Sequence, residues 1–228
     1  MKMTSGQALI YSGDNEMHKG GVALMISQRA VKSLMEWTPI NQRIITARFY
    51  SRYRRLTIIQ VYGPHNEREK EEKEQFYQEL QEAVDSCNKN DIIIIMGDLN
   101  AKVGNDNRGY ERTMGVHGLG TQNDKGLRLC EFSQLNGLVI AGTLFPHKDI
   151  HKATWVSADG GVRNQIDHLL ISGQWRSSIL DCSAEFGELL CYHWQVRCSA
   201  RSFSPGYRQE WIHHSEKNKL ASEQEEEA

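Results

Sequence analysis

Five consecutive residues, Ile92-Ile93-Ile94-Ile95-Met96, constrain this chain more than any other stretch. Four of the five are β-branched and none is polar, so the run reads as a strand covered on both faces, which belongs at the centre of a sheet. Such a strand needs a layer on each side, and 228 residues are enough to build one α/β domain of that kind. Gly21–Ile26, 42–50 and Leu56–Tyr62 read as further strands, the last two joined by the short polar link Ser51-Arg52-Tyr53-Arg54 as an antiparallel pair. Asn66 is a good helix cap with Glu69 as its capping-box partner, and Phe76, Leu80 and Val84 then recur every four residues in a charged segment running to about Cys87, as in a surface helix with one buried stripe. A loop through Gly104, Gly109, Gly115, Gly118 and Gly120 leads to a helix over 124–136, stopped by Gly137. Segments 138–144, 165–171 and 194–200 complete the strands. Strand and helix periods alternate without a fixed repeat, which places the chain in the α/β class.

Composition removes several alternatives. Hydrophobic residues at 39% and charged residues at 25% match a globular protein, not a disordered one. No apolar run reaches the roughly 18 residues needed to cross a bilayer, and the opening Met1 to Gly6 is not apolar like a signal peptide, so the expectation is an intracellular chain, nuclear or cytoplasmic, with no membrane partner. The cysteines at 87, 130, 182, 191 and 198 form no paired ligand motif and read as reduced thiols. Net charge is 27 − 29 = −2, but four of the acids lie in the terminal Glu223-Gln224-Glu225-Glu226-Glu227-Ala228 run, so a basic face remains available elsewhere. The expected organisation is a domain over 1–200 and a polar, acidic, poorly ordered tail over 201–228.

The chemistry concentrates where the buried strand ends, in Met96-Gly97-Asp98-Leu99-Asn100-Ala101. A rigid strand fixes side chains at its carboxyl end beside a loop-lined crevice. If strand geometry continues, Asp98 and Asn100 share one side and offer a carboxylate and an amide oxygen to a hard divalent cation. The alternative is an Asx turn, with Asp98 bonding its own backbone. Asp167 interrupts an otherwise apolar strand in Asn164-Gln165-Ile166-Asp167-His168-Leu169-Leu170-Ile171, and a buried carboxylate there needs a partner, but the residues alone favour an outward-facing Asp167 on a half-exposed strand. His193 and Tyr62 by themselves read as ordinary surface, core or strand residues.

Taken in order, these pieces resemble the endonuclease domain of non-long-terminal-repeat retrotransposons, particularly the RTE-like group, within the endonuclease/exonuclease/phosphatase superfamily. The matching segments are His18-Lys19-Gly20-Gly21-Val22-Ala23-Leu24-Met25, Val61-Tyr62-Gly63-Pro64, Gln75-Phe76-Tyr77, Met96 through Gly104, Gly115-Val116-His117-Gly118-Leu119-Gly120, Phe145-Pro146-His147-Lys148, His151-Lys152-Ala153-Thr154-Trp155 and Asn164-Gln165-Ile166-Asp167-His168. The resemblance implies a four-layer α/β/β/α sandwich of DNase I type, a Mg²⁺ cofactor and DNA as the substrate. By that likeness Asp98 positions or activates water, Asn100 holds phosphate or metal, Tyr62 contacts the phosphate, and Asp167 orients His193, which stabilises charge on phosphorus. Asp98 and Asn100 are the implied metal ligands. DNA would be gripped by Arg43, Arg48, Arg52, Arg54 and Arg55, with Lys148, Lys152 and Asn164 as further contacts, although the arginines read equally as a solvated hairpin face.

Two departures from the family pattern bear on activity. The family's first strand and helix, with a catalytic asparagine, and its next strand, with a metal-binding glutamate, fall upstream of Met1, so the expected fold lacks those elements. Its Ser-Asp-His becomes Cys191-Tyr192-His193, which removes an aspartate near the metal. Fewer anionic oxygens bind a hard cation more weakly. The expectation is therefore a retrotransposon-derived endonuclease domain with weak or lost Mg²⁺ binding, against the alternative of a non-catalytic remnant that binds nucleic acid or a protein.

Overall fold

The computed structural model describes residues 2–4, 6–13, 21–65, 69–157, 159–186 and 192–198, by backbone alone for 2–4, 185–186 and 192–198. Strands β1 (Lys2–Thr4), β2 (Gln7–Gly13) and β3 (Gly21–Ile26) form an antiparallel three-stranded sheet. A single turn, α1 (Gln28–Val31), leads to β4 (Leu34–Asn41), β5 (Ile44–Phe49) and β6 (Leu56–Tyr62). Helix α2 (Lys70–Ser86) crosses to β7 (Ile92–Asp98), and α3 (Asp124–Leu135) leads to β8 (Leu138–Ile140). A short ribbon, β9 (Trp155–Val156) with β10 (Arg163–Asn164), precedes β11 (Asp167–Ser172), and the hairpin of β12 (Ile179–Phe186) with β13 (Tyr192–Cys198) closes the described chain.

The main sheet has six strands in the order β4-β5-β6-β7-β11-β8. Its one parallel pair is β6 with β7, because α2 carries the chain back over the sheet between them. The isoleucine run is thus an interior strand, as its composition requires. Alternation then sorts the apolar side chains by face. Ile92, Ile94 and Met96 join Ile58, Leu169 and Ile171 against Ile10 and Leu24 of the three-stranded sheet, with Ile179 and Cys182 of β12 in the same core. Ile95, Ile59, Val61 and Leu170 face the other way, onto Phe76 and Leu80 of α2 and Leu129 and Phe132 of α3. The result is a two-sheet α/β sandwich of the expected class. Full burial of each large side chain contributes roughly 1.5–3 kcal/mol, so the two cores fix which face each strand presents.

Several elements differ from the sequence reading. β4 escaped it because it is an edge strand, mostly exposed and interrupted by Pro39, and so lacks the apolar alternation of a half-buried strand. β2 and β12 bury small residues such as Ala8, Cys182 and Ala184, which blur the pattern. The strand expected over 138–144 stops at Ile140 and turns into a single 3₁₀ turn, where the Thr143 hydroxyl donates to the Ile140 carbonyl at 2.7 Å. Helix α2 begins at Lys70 with Glu69 as its N-cap, which makes no side-chain cap bond; Asn66, the expected cap, lies outside the described residues. The tail over 201–228 also lies outside them. Cys87, Cys130 and Cys182 form no disulfide. No helix among the described residues is long and apolar enough to cross a membrane.

Candidate active site

Cross-strand register does what sequence distance hides. Tyr62 at the end of β6 is the partner of Asp98 at the end of β7, and Asp98 is in turn the partner of Asp167 at the start of β11. The three residues form one row across adjacent strands. Their positions share the parity of Ile58, Met96 and Leu169, so all three side chains leave the sheet on the inter-sheet face, at its open end. Asp98 is 1% exposed and Asp167 4%, which places two carboxylates side by side on a buried face. Like charges directly opposite each other destabilise a sheet, with Cβ atoms about 4.5–5.5 Å apart, so such a pair belongs to a site rather than to packing.

The turn after β7 is built to hold Asp98. Strand geometry ends there, and Asn100 adopts the left-handed conformation at φ 50°. Its N–H donates to Asp98 Oδ1 at 2.9 Å, the Asx turn that the spacing alone left open. Asn100 Nδ2 donates to the Gly63 carbonyl at 3.0 Å, and the Gly63 N–H donates to the Asp98 carbonyl at 2.6 Å, so the loops after β6 and β7 are stitched together. With Nδ2 turned to Gly63, the amide oxygen of Asn100 is the atom left to face a ligand. Gly97 permits this geometry: at φ +143°, its missing Cβ would meet the Val61 carbonyl oxygen at 1.9 Å. Asp167 is set by Thr154, whose Oγ1 accepts from the N–H groups of Ile166 and Asp167 at 2.9 and 3.0 Å.

Several site residues carry no sequence signal of their own. His65 shares a hydrogen bond between its Nε2 and the Tyr62 hydroxyl, and its ring meets the Tyr62 ring edge-on at 5.5 Å. Lys125, on the first turn of α3, donates to the Pro64 carbonyl and lies near enough to Asp98, Lys73 and Arg43 to feel their charges. Burial first, and the neighbouring Lys73 second, push its ammonium down to about 8, while Asp98 opposes them. Lys125 reaches this position because Gly126 lets α3 approach the loop: a Cβ there would lie 1.6 Å from the Lys102 carbonyl oxygen. Asn123 locks the same junction, its Oδ1 accepting from Gly126 N at 2.8 Å and Lys102 N at 3.1 Å. Behind the turn, the fully buried His168 bonds the Ala101 carbonyl through Nε2 at 2.7 Å, and burial pushes its imidazole down to about 4, so it is neutral at physiological pH.

The basic residues expected to grip DNA divide into separate places. Arg43 is at the site: Nη1 donates to the Tyr62 carbonyl at 3.3 Å, the guanidinium lies 5.5 Å from the Tyr62 ring centroid, and Nη2 pairs with Glu72 at 2.6 Å. Arg48 is engaged structurally, bonding Asp91 at 2.6 and 3.2 Å and Glu36 at 3.2 Å. Arg52, Arg54 and Arg55 sit in the β5–β6 turn, at the opposite end of the sheet. Arg55 lies the full length of β6 from Tyr62, roughly 23 Å at strand rise. Lys148 is exposed and Lys152 pairs with Asp149 at 3.2 Å, both beside the turn that precedes Thr154, while the Asn164 carbonyl accepts from Thr154 N at 2.9 Å. His193 lies on β13 opposite Glu185, and its side chain is outside the described residues, as is that of Tyr192.

The donors at this end of the sheet are oxygens: the carboxylates of Asp98 and Asp167 and the amide of Asn100. Mg²⁺ is held by one or two carboxylates, with waters and substrate phosphate completing its octahedron, and that donor set meets this minimum. A hard dication therefore fits the row, with cationic Lys125 and Arg43 beside it to balance an anionic substrate.

The chain is similar to known proteins in sequence and in fold. A craniofacial development protein 2 from Bos taurus is 39% identical over 171 residues, covering 75% of this chain; the match spans 28% of the length of that relative. The endonuclease domain of TRAS1, a telomere-specific non-LTR retrotransposon, superposes with a TM-score of 0.57 at 14% identity, covering 82% of this chain and 76% of that one. A Neisseria 3′ phosphatase bound to product DNA hairpin gives 0.56 at 17% identity over 92% of this chain and 77% of its own. At those identities the structures speak for the fold. The sequence profile described as Endonuclease/Exonuclease/phosphatase family matches residues 5–189, a span that contains the whole Tyr62, Asp98 and Asp167 row, and the chain belongs to that family.

Proposed function

We propose that this domain hydrolyses phosphodiester bonds in DNA with bound Mg²⁺, and that it derives from a retrotransposon endonuclease. The observation that carries this reading is the single register row of Tyr62, Asp98 and Asp167 on the buried face, flanked by Arg43 and Lys125. Cationic side chains beside paired carboxylates suit a phosphate that must be bound while its attacking water loses a proton. In this scheme the Asp98 carboxylate, pinned at Oδ1 by the Asn100 N–H, takes the proton of the attacking water. Asn100 turns its amide oxygen to the ligand, Tyr62 directs its hydroxyl at a phosphate oxygen, and Arg43 and Lys125 neutralise the remaining charge. By the family resemblance, Asp167 would orient His193, whose side chain lies outside the described residues. When bound, Mg²⁺ supplies Lewis-acid polarisation of the phosphoryl oxygen.

Nicking of supercoiled plasmid in Mg²⁺ tests the assignment. Asp98→Asn should lower the rate about 10²-fold or more, the usual contribution of a positioned acid or base, and Asp167→Asn should follow it. Full nicking by Asp98→Asn would overturn the role given to that carboxylate.

One observation favours a second reading, a domain that binds nucleic acid without cleaving it. Among the described residues no group of three or more His, Cys, Asp or Glu side chains converges on a metal position. On that reading millimolar Mg²⁺ produces no nicking, while duplex binding persists and weakens in Arg43→Ala.

A further inference from the structure

We infer a second nucleic-acid surface, at the end of the main sheet remote from the carboxylates, built to bind single strands. The turn between β5 and β6 reads Tyr50-Ser51-Arg52-Tyr53-Arg54-Arg55, two aromatic side chains interspersed with three cationic ones. Tyr50 is 63% exposed and Tyr53 54%, so two aromatic rings stand in solvent within four residues of each other. The Arg52 guanidinium lies 5.5 Å from the Tyr53 ring centroid. Beside the turn is an open depression of about 550 Å³, lined by Gln28, Arg29, Lys32, Ser33 and Tyr50. The Tyr50 N–H donates to the Ser33 carbonyl at 2.7 Å, which fixes the aromatic turn to the basic wall of the depression.

Among the described residues, Arg52, Arg54 and Arg55 of the turn form no salt bridge. The acids on the adjoining strand and loop, Glu36 and Asp91, both pair with Arg48, so they leave the charge of the turn exposed. Cations attract a phosphate backbone, and that term alone would serve a duplex equally well. The tyrosines make the difference: a duplex hides the faces of its bases, whereas an unpaired strand offers them for stacking. Interleaved rings and cations, with a depression large enough for a nucleotide, therefore select single-stranded nucleic acid, DNA or RNA. Being roughly 23 Å from Tyr62 at strand rise, this surface engages a different stretch of nucleic acid from the carboxylate end.

Fluorescence anisotropy on the full chain in EDTA, which removes cleavage from the measurement, tests the inference. The probes are labelled oligothymidylate and oligouridylate of roughly 16 nucleotides, the upper range of single-strand site sizes, and a duplex of equal length. Tyr50→Ala with Tyr53→Ala should weaken single-strand binding about tenfold or more and leave duplex binding unchanged, and the two Phe substitutions should restore it. Arg54→Glu with Arg55→Glu should weaken single-strand binding and reduce its salt dependence. Whichever of the two oligonucleotides binds tighter identifies the strand chemistry. The inference is overturned if the Ala pair changes nothing, if it weakens duplex and single-strand binding alike, if anionic phospholipid vesicles compete equally well, or if Arg43→Ala removes single-strand binding while the turn variants retain it. Plasmid nicking is scored separately, so loss of nicking with intact single-strand binding counts against the catalytic reading alone.

Discussion

Acid should destabilise this fold in part through His168. The unfolded imidazole titrates near 6.5, and burial lowers the folded value to about 4. The unfolded state therefore binds more protons between those values, and stability falls as pH drops through that window, while the contribution is fully present above 6.5. Worked through the two titrations, moving from about pH 7.5 to about pH 5 removes about 2 kcal/mol, and the whole shift amounts to about 3 kcal/mol. The cause is visible in the structure: Nε2 is committed to the Ala101 carbonyl, and the buried Nδ1 has no partner among the described residues to receive a second proton. Urea denaturation of wild type and His168→Gln at both pH values isolates this term from the carboxylates. Glutamine retains an N–H for Ala101 and cannot titrate, so its stability should fall by about 2 kcal/mol less. If both proteins lose the same amount, within about 0.5 kcal/mol, the neutral buried imidazole is not what couples this fold to acid.

Two further outcomes follow from the same end of the sheet. Gly97→Ala should cost more than about 4 kcal/mol in urea denaturation, because its Cβ would strike the Val61 carbonyl between the paired strands; a loss under about 1 kcal/mol would mean that the close approach is not real. Lys125, with its ammonium near 8, should be about 90% charged at pH 7 and about 10% at pH 9, so duplex affinity in EDTA should fall across that range, and Lys125→Arg, always charged, should flatten the fall. An identical pH profile in both proteins would remove Lys125 from the anion site.

Local periodicity made much of the fold legible. The isoleucine run, the Phe76 and Leu80 stripe and the stop at Gly137, at φ +61°, each depend on side chains a few residues apart, and each is found where its pattern places it. The concentration of polar groups after Met96 was legible for the same reason, since one strand carries it to the end of the sheet. Edge strand β4 was not, because a solvent-facing strand has no apolar alternation to reveal it.

The membership of the site was a tertiary matter. Nothing within 62, 98 and 167 says that they align; hydrogen bonds between β6, β7 and β11 set that register. The sequence offered a cluster of arginines as equals, yet strand direction carries Arg43 to Tyr62 and leaves the Arg52 to Arg55 turn at the far end, while Asp91 claims Arg48. Lys125 entered through the close packing of Gly126 on Lys102, a contact between segments far apart in the chain. Amino-acid order determines which faces must be buried, because burial is a property of nearby spacing; which charges meet depends on strands brought together from afar, and only the folded chain decides it.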